Sequence, residues 1–151
     1  MEGKPPRGMK LTIISIAKIP KNDLAREYIR RFESAWAFEE LFIKPSQNKV
    51  LDGQRLLKTI DKKNAFFVAL DEKGNNFTSI AFADFLKAHE ETPIIFGIGG
   101  ADGWDEQVKT RANCLLSLSQ MTLPHALARL FLCEQLYRAY TLLKNLPYHR
   151  A

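Results

Sequence analysis

Ala65-Phe66-Phe67-Val68-Ala69-Leu70 is an unbroken apolar run, closed by the polar turn sequence Asp71-Glu72-Lys73-Gly74. The run has the length of a strand, and its Phe and Val residues suit one. A strand with one wet face would alternate polar and apolar residues. This one does not, so both of its faces are covered, as in a parallel sheet layered by helices. The rest of the chain reads the same way. Met9 to Ala17 is an Ile-rich buried strand, and Asn22 or Asp23 caps a helix through Leu24, Tyr28, Ile29 and Phe32. Phe38 to Ile43 is a second strand. After the loop Pro45 to Asn48, the spacing of Val50, Leu51, Leu56, Leu57 and Ile60 predicts a second helix, with Gly53 its weak point.

Beyond Gly74 the alternation continues. Thr78 or Ser79 opens a third helix through Phe82, Phe85 and Leu86 to about His89. Pro93 precedes a strand at Ile94 to Ile98, and a glycine turn leads into a helix at Asp105 to Arg111. Cys114 to Leu118 is a short fifth strand. One long helix then runs from Pro124 to Leu143, with proline in the first turn, where a missing N–H costs nothing. Strands alternating with helices imply a single-domain α/β fold, a mostly parallel sheet with flanking helices.

The composition agrees. The chain has 151 residues, 46% hydrophobic and 26% charged, which is ordinary for one globular domain with a core of its own. Residues 1–8 are polar and rich in Pro and Gly, and read as a flexible extension ahead of a domain at 9–151. The formal charge of +5 fits either a solubilising surface or a nucleic-acid partner. Cys114 and Cys133 lie in apolar surroundings and read as free thiols. With no CxxC or HExxH spacing, no metal site is expected. No stretch approaches the ~18 apolar residues of a membrane span, and the apolar run at Leu11 to Ala17 lacks a cleavage signal. A cytoplasmic protein is expected.

Four features bear on chemistry. Gly97-Ile98-Gly99-Gly100-Ala101-Asp102-Gly103 approaches a dinucleotide fingerprint, but Asp102 occupies the place of the third glycine and the turn falls late in the chain. The glycines still let a ligand approach the backbone closely. Ser117 to Pro124 leads into a helix N-terminus whose free amides favour a carboxylate; alternatively Thr122 caps that helix. The last helix is apolar around much of its circumference, as expected of a helix buried on its own sheet and again on a second copy. Glu134 and Arg138 are spaced for an intrahelical ion pair. Tyr148-His149-Arg150 closes the chain with a proton carrier and a phosphate-gripping cation. His89 reads as a surface residue, and His125 is open.

Ile98-Gly99-Gly100, Leu116-Ser117-Leu118-Ser119, Thr122-Leu123-Pro124-His125, Glu134-Gln135-Leu136-Tyr137-Arg138-Ala139 and Tyr148-His149-Arg150 together resemble the large-subunit ribosomal RNA methyltransferase H family. That family belongs to the SPOUT, or α/β-knot, methyltransferases. The resemblance implies a homodimeric enzyme that uses S-adenosyl-L-methionine to methylate N3 of a pseudouridine in 23S ribosomal RNA, within the assembled ribosome. It also implies a C-terminal trefoil knot, which no periodicity announces. The cofactor would be held by Leu70, by Gly99 and by Ser119, Gln120, Met121, Thr122, Leu123 and Pro124. Arg138, Tyr148, His149 and Arg150 would serve substrate and catalysis, with His149 as a base and Arg138 or Arg150 stabilising a uracil oxyanion. A non-catalytic ribosome- or RNA-binding module on the same fold is the alternative.

Overall fold

A computed structural model describes residues 9–150; the expected extension at 1–8 lies outside the described residues. Five strands are β1 (Lys10–Ile16), β2 (Ala37–Ile43), β3 (Phe66–Asn76), β4 (Ile94–Ile98) and β5 (Cys114–Ser117). Five helices alternate with them: α1 (Arg26–Phe32), α2 (Lys49–Ile60), α3 (Ser79–Ala88), α4 (Glu106–Arg111) and α5 (His125–Leu143). The strands form one sheet in the order β2-β1-β4-β3-β5, and every neighbouring pair is parallel.

The sheet is apolar on both faces, as the run at Ala65 to Leu70 demanded. Leu11, Ile13, Val68, Ile94, Phe96 and Ile98 point to one side, where they meet Ile29, Phe32, Phe82, Leu86, Leu132 and Leu136 of α1, α3 and α5. Ile14, Ile16, Phe67, Ala69 and Ile95 point to the other, against Leu56, Ile60 and Val108 of α2 and α4. The period-two alternation therefore separates two apolar surfaces rather than an apolar from a polar one.

Several boundaries differ from the sequence reading, each for a tertiary reason. β3 does not end at Leu70. Its register slips between Leu70 and Asn75, both of which pair with Leu116, so residues 71–74 bulge out and Asn75 and Asn76 rejoin the ladder. The Asn76 side-chain amide donates to Ser117 O at 3.1 Å, and Ser117 Oγ donates to Glu72 O at 3.0 Å. Contacts with a segment forty residues away hold this excursion, and they leave no trace in local periodicity. The loop residue Asn48 caps α2, its Oδ1 accepting from Val50 N at 3.0 Å and Leu51 N at 3.1 Å. Gly53 is a close approach rather than a weak point. A Cβ there would lie 2.6 Å from Asp105 Oδ1 and 2.9 Å from Val108 Cγ2, so its bare backbone lets α2 lie against α4.

The expected cap of α1 is put to another use. Asp23 Oδ1 accepts from Ala25 N at 3.1 Å, but its carboxylate mainly grips Arg129 of α5, at 2.6 and 2.9 Å. Glu40 of β2 takes the same guanidinium at 2.7 and 2.8 Å. Arg129 is only 4% exposed, so this ion pair is buried. It ties the start of α5 to the chain before α1 and to the outermost strand. Burial alone would favour a neutral Arg129, but its bonds to Glu40 and Asp23 outweigh that and raise its pKa. The Arg129 hydrogen bonds hold the Asp23 carboxyl below its ordinary 3.8.

Arg129→Ala would leave two largely buried carboxylates facing each other without their cation. It should lower unfolding stability by about 3–5 kcal/mol, the usual cost of removing one partner of a buried pair. Because the Asp23 pKa is depressed, its stabilising contribution is present above the unfolded value of 3.8 and lost as pH falls through the lower folded value. Chemical denaturation at pH 7 and pH 3 should therefore show the wild-type advantage over the variant shrinking in acid.

Candidate active site

In a parallel sheet the ligand-facing edge is the carboxyl one, where the loops leave the strands. Here β4, β3 and β5 are neighbours, and Ala69 is flanked by Gly97 on one side and Leu115 on the other. Leu70, where β3 bulges out, Gly99 and the segment after Ser117 therefore lie side by side along that edge. The structure brings these sequence-predicted residues together on one edge.

The glycine turn is compact. Gly103 N donates to Gly100 O at 3.0 Å, and Gly103 has φ +71°, in the region that favours glycine. A Cβ on Gly99 would lie 3.0 Å from Gly103 C and 3.1 Å from its O. Gly97 belongs to β4 rather than to the turn, which removes the remaining likeness to a dinucleotide fingerprint.

The segment 119–124 is tied to the β3 bulge. Ser117 Oγ lies 3.0 Å from Ser119 O, and Thr122 Oγ1 donates to Glu72 Oε2 at 2.6 Å. Thr122 thus does not cap α5; the cap position is Pro124, which offers no side-chain hydrogen bond. Met121 N donates to Ser119 Oγ at 3.0 Å, making a tight turn. Among the described residues, the N–H groups of Gln120, Thr122 and Leu123 have no partner and remain available. Gln120 lines a cleft of about 340 Å³ with Glu72, Lys73, Gly74 and Asn76. Met121 is 76% exposed. His125, left open by the sequence, has its Nε2 buried without a partner, and burial, then Arg129, lowers its pKa.

The C-terminal residues form a second cluster. α5 ends in a reversal: Asn145 N donates to Leu142 O at 3.3 Å and Leu146 N to Thr141 O at 2.8 Å, with Asn145 at φ +57°. This Schellman pattern turns the chain back along the helix. The tail is therefore docked rather than frayed. Glu134 Oε2 accepts from Arg138 Nη2 at 2.5 Å and from Tyr148 Oη at 2.9 Å. Arg138 Nη1 lies 3.1 Å from His149 Nδ1, and the guanidinium stands 4.8 Å from the Tyr148 ring centroid. Burial, then the Glu134 hydrogen bond, pushes the Tyr148 hydroxyl up to about 12, so it stays a donor at neutral pH. Arg150 is exposed and makes no such bond among the described residues.

Arg138, Tyr148 and His149 are thus assembled, but not beside the cofactor candidates. Arg138 follows Pro124 by fourteen residues of α5, about 21 Å at ~1.5 Å per residue. Glu134, against which the tail folds, is about 15 Å along the same helix. The sequence reading missed Glu134 as a shared acceptor, seeing only its pair with Arg138, which the structure does form. It also missed Glu72 and Asn76; an Asn-Asn pair after a glycine was the available sign of a bulge. α5 was expected to be buried on its own sheet and again on a second copy. In the single chain its outer Leu127 and Phe131 are 51% and 39% exposed, and Phe77 and Ile80 of the α3 region are exposed too, α3 itself packing on α5. His89 is half-buried rather than superficial, its ring tilted against those of Phe66 and Phe85 with centroids 4.2 and 4.7 Å away. Both cysteines are free, Cys133 buried and Cys114 half-buried. No helix is long and apolar enough to cross a membrane, and no metal-holding cluster of His, Cys, Asp or Glu occurs among the described residues.

Known proteins resemble this chain in sequence and in fold. A family described as "Predicted SPOUT methyltransferase" matches residues 9–149. The ribosomal RNA large subunit methyltransferase H of Neisseria gonorrhoeae is 38% identical over 158 residues, covering 94% of this chain and 99% of its own. Its counterpart in Paraburkholderia phytofirmans is 39% identical over 155 residues, with the same coverage. Among solved structures, a probable methylase family protein from Haemophilus influenzae Rd KW20 superposes with a TM-score of 0.59 at 12% identity, over 95% of this chain and 71% of that one. That likeness speaks for the fold alone. The sequence matches span nearly the whole chain and both clusters of site candidates, and they place it among the SPOUT methyltransferases, in the family of ribosomal RNA large subunit methyltransferase H.

Proposed function

We propose that the chain is one subunit of a homodimeric methyltransferase that carries the methyl group of S-adenosyl-L-methionine to N3 of a pseudouridine in 23S ribosomal RNA, on the assembled ribosome. The observation that carries this reading is the length of α5. Methyl transfer needs donor and acceptor in contact, yet the two residue clusters that would hold them stand about 15–21 Å apart along one rigid helix. A second copy supplies what one chain cannot. The exposed Leu127 and Phe131 on α5 and Phe77 and Ile80 on the adjoining surface offer the apolar patch for it.

The cofactor cradle is the edge formed by Leu70, Gly99 and Ser119 to Pro124. Its residues fit such a ligand: the unpartnered amides of Gln120, Thr122 and Leu123 are donors for polar groups on it, and the bare Gly99 lets the neighbouring turn close tightly against Gly103. When bound, the sulfonium supplies an activated methyl that needs no metal. Arg138, Tyr148, His149 and Arg150 would handle the RNA. N3 must lose its proton before it can attack, and cationic donors stabilise the charge left on the uracil oxygens. In this reading the C-terminal part of the chain would also thread the trefoil knot of the family.

Calorimetry should show binding of S-adenosyl-L-methionine, and ribosomes lacking the modification should gain a methyl group that mass mapping places on a pseudouridine. Absence of cofactor binding would leave an RNA-binding module. Gly99→Val, which crowds the Gly103 backbone and so displaces the turn at the cradle's edge, should weaken cofactor binding at least roughly tenfold while circular dichroism stays native. Arg138→Ala should lower kcat on ribosomes roughly a hundredfold or more and leave cofactor affinity unchanged. Unaltered turnover in Arg138→Ala would remove that residue from the active site.

A further inference from the structure

The hydrogen bond between Arg138 Nη1 and His149 Nδ1, at 3.1 Å, has only one possible direction. A guanidinium has five donors and no acceptor. Nδ1 must therefore offer its lone pair, and the ring proton of the neutral imidazole stands on Nε2. With Nδ1 occupied and Nε2 protonated, the ring has no free lone pair with which to take a proton from N3. The one function left to its outer edge is donation.

What aims Arg138 is Glu134. Its Oε2 accepts from Arg138 Nη2 at 2.5 Å and from the Tyr148 hydroxyl at 2.9 Å, and its Oε1 accepts from Gln135 Nε2 at 2.8 Å. Holding Nη2 leaves Nη1 of the same planar fork turned toward the tail. Holding Tyr148 brings its neighbour His149 back against the helix, and the Tyr137 ring, 4.7 Å from that of Tyr148 between centroids, packs the other side. The arrangement has the logic of a carboxylate that orients a catalytic imidazole, with an arginine interposed.

We propose that Glu134 is a positioning residue of the methyl-transfer site, which through Arg138 holds His149 in the Nε2–H tautomer and so makes it a hydrogen-bond donor to a uracil carbonyl oxygen beside N3. This rests on the function proposed above and replaces the role of base for His149. As the N3 proton leaves to water, negative charge spreads onto the flanking carbonyl oxygens, and the Nε2–H stabilises it. The N3 lone pair then forms the new bond to carbon while the carbon–sulfur bond breaks, and the imidazole ends in the protonation state in which it began.

The test uses the full chain. Long-range nitrogen–proton spectra of its three histidine rings distinguish the two neutral tautomers, and His149→Gln assigns the signal. His149 is expected as the Nε2–H form in wild type and as a tautomeric mixture in Glu134→Gln. On ribosomes, Glu134→Gln should lower kcat roughly a hundredfold, with KM for the cofactor unchanged, as expected for misplacement of a reacting group. Tyr148→Phe keeps the Glu134–Arg138 pair and should keep the tautomer. A wild-type His149 in the Nδ1–H form overturns the proposal, as does a Glu134→Gln variant with unchanged tautomer and turnover. The tautomer is read without catalysis, so a wild-type protein inert on ribosomes would count against the proposed function and not against this geometry.

Discussion

A helix cannot fold back to bring its two ends together, and α5 runs for 19 residues, about 28 Å, with a different set of candidate residues at each end. Segment 119–124 meets its N-terminus at the carboxyl edge of the sheet. Arg138 and the tail lie at its far end. The distance is imposed by backbone hydrogen bonding and no side-chain rotamer can span it. Within one chain, therefore, the two clusters do not meet. In the proposed dimer a second copy would join them, docking near the exposed Leu127 and Phe131 of the same helix.

The placement of α5 is itself secured at two points. Its first turns are pinned by Arg129, whose buried guanidinium satisfies two carboxylates from distant parts of the chain. Its last turn is closed by the Asn145 reversal, which sends Tyr148 and His149 back onto Glu134 and Arg138. Between these points Leu132, Cys133, Leu136 and Ala139 pack into the core shared with α1 and α3. Burial pushes the Cys133 thiol up to about 12, so this stripe behaves as apolar packing rather than chemistry. The helix acts as a rigid spacer between two ends that are each held firmly.

The strand–helix alternation was legible because it is local. Apolar runs at Phe66 to Leu70 and Ile94 to Ile98, and helical spacing around Phe82 and Leu136, sit within single windows of sequence. The carboxyl-edge candidates Leu70, Gly99 and Ser119 to Pro124 were named through the family resemblance; only the glycine turn carries a local conformational demand of its own, met at Gly103. What periodicity could not reveal is long-range. The strand order puts β3 between β4 and β5, the bulge at 71–74 is held by Ser117, and Asp23 serves Arg129 instead of capping α1. Tyr148 and His149 stood out as chemical groups, but what docks them is Asn145 in the left-handed region, a conformation that a residue two places before a proline only hints at. Glu134 was visible as one half of an ion pair, but its role as a shared acceptor depends on that reversal.

Whether the two halves meet across a dimer is most directly measured with mixed dimers. Gly99→Val disables the cradle and leaves the tail cluster intact; Arg138→Ala does the reverse. Alone, with cofactor held below the Kd of the Gly99→Val variant, each should turn over ribosomes at least roughly tenfold more slowly than wild type. Unfolded and refolded together, they form dimers in which one site combines the intact cradle of one subunit with the intact Arg138 of the other. A site shared between subunits predicts that the mixture regains up to about a quarter of wild-type turnover, since about half of randomly paired dimers are mixed and each holds one sound site. Failure to regain any turnover, with mixed dimers shown to be present, would contradict it and place the whole reaction within a single chain.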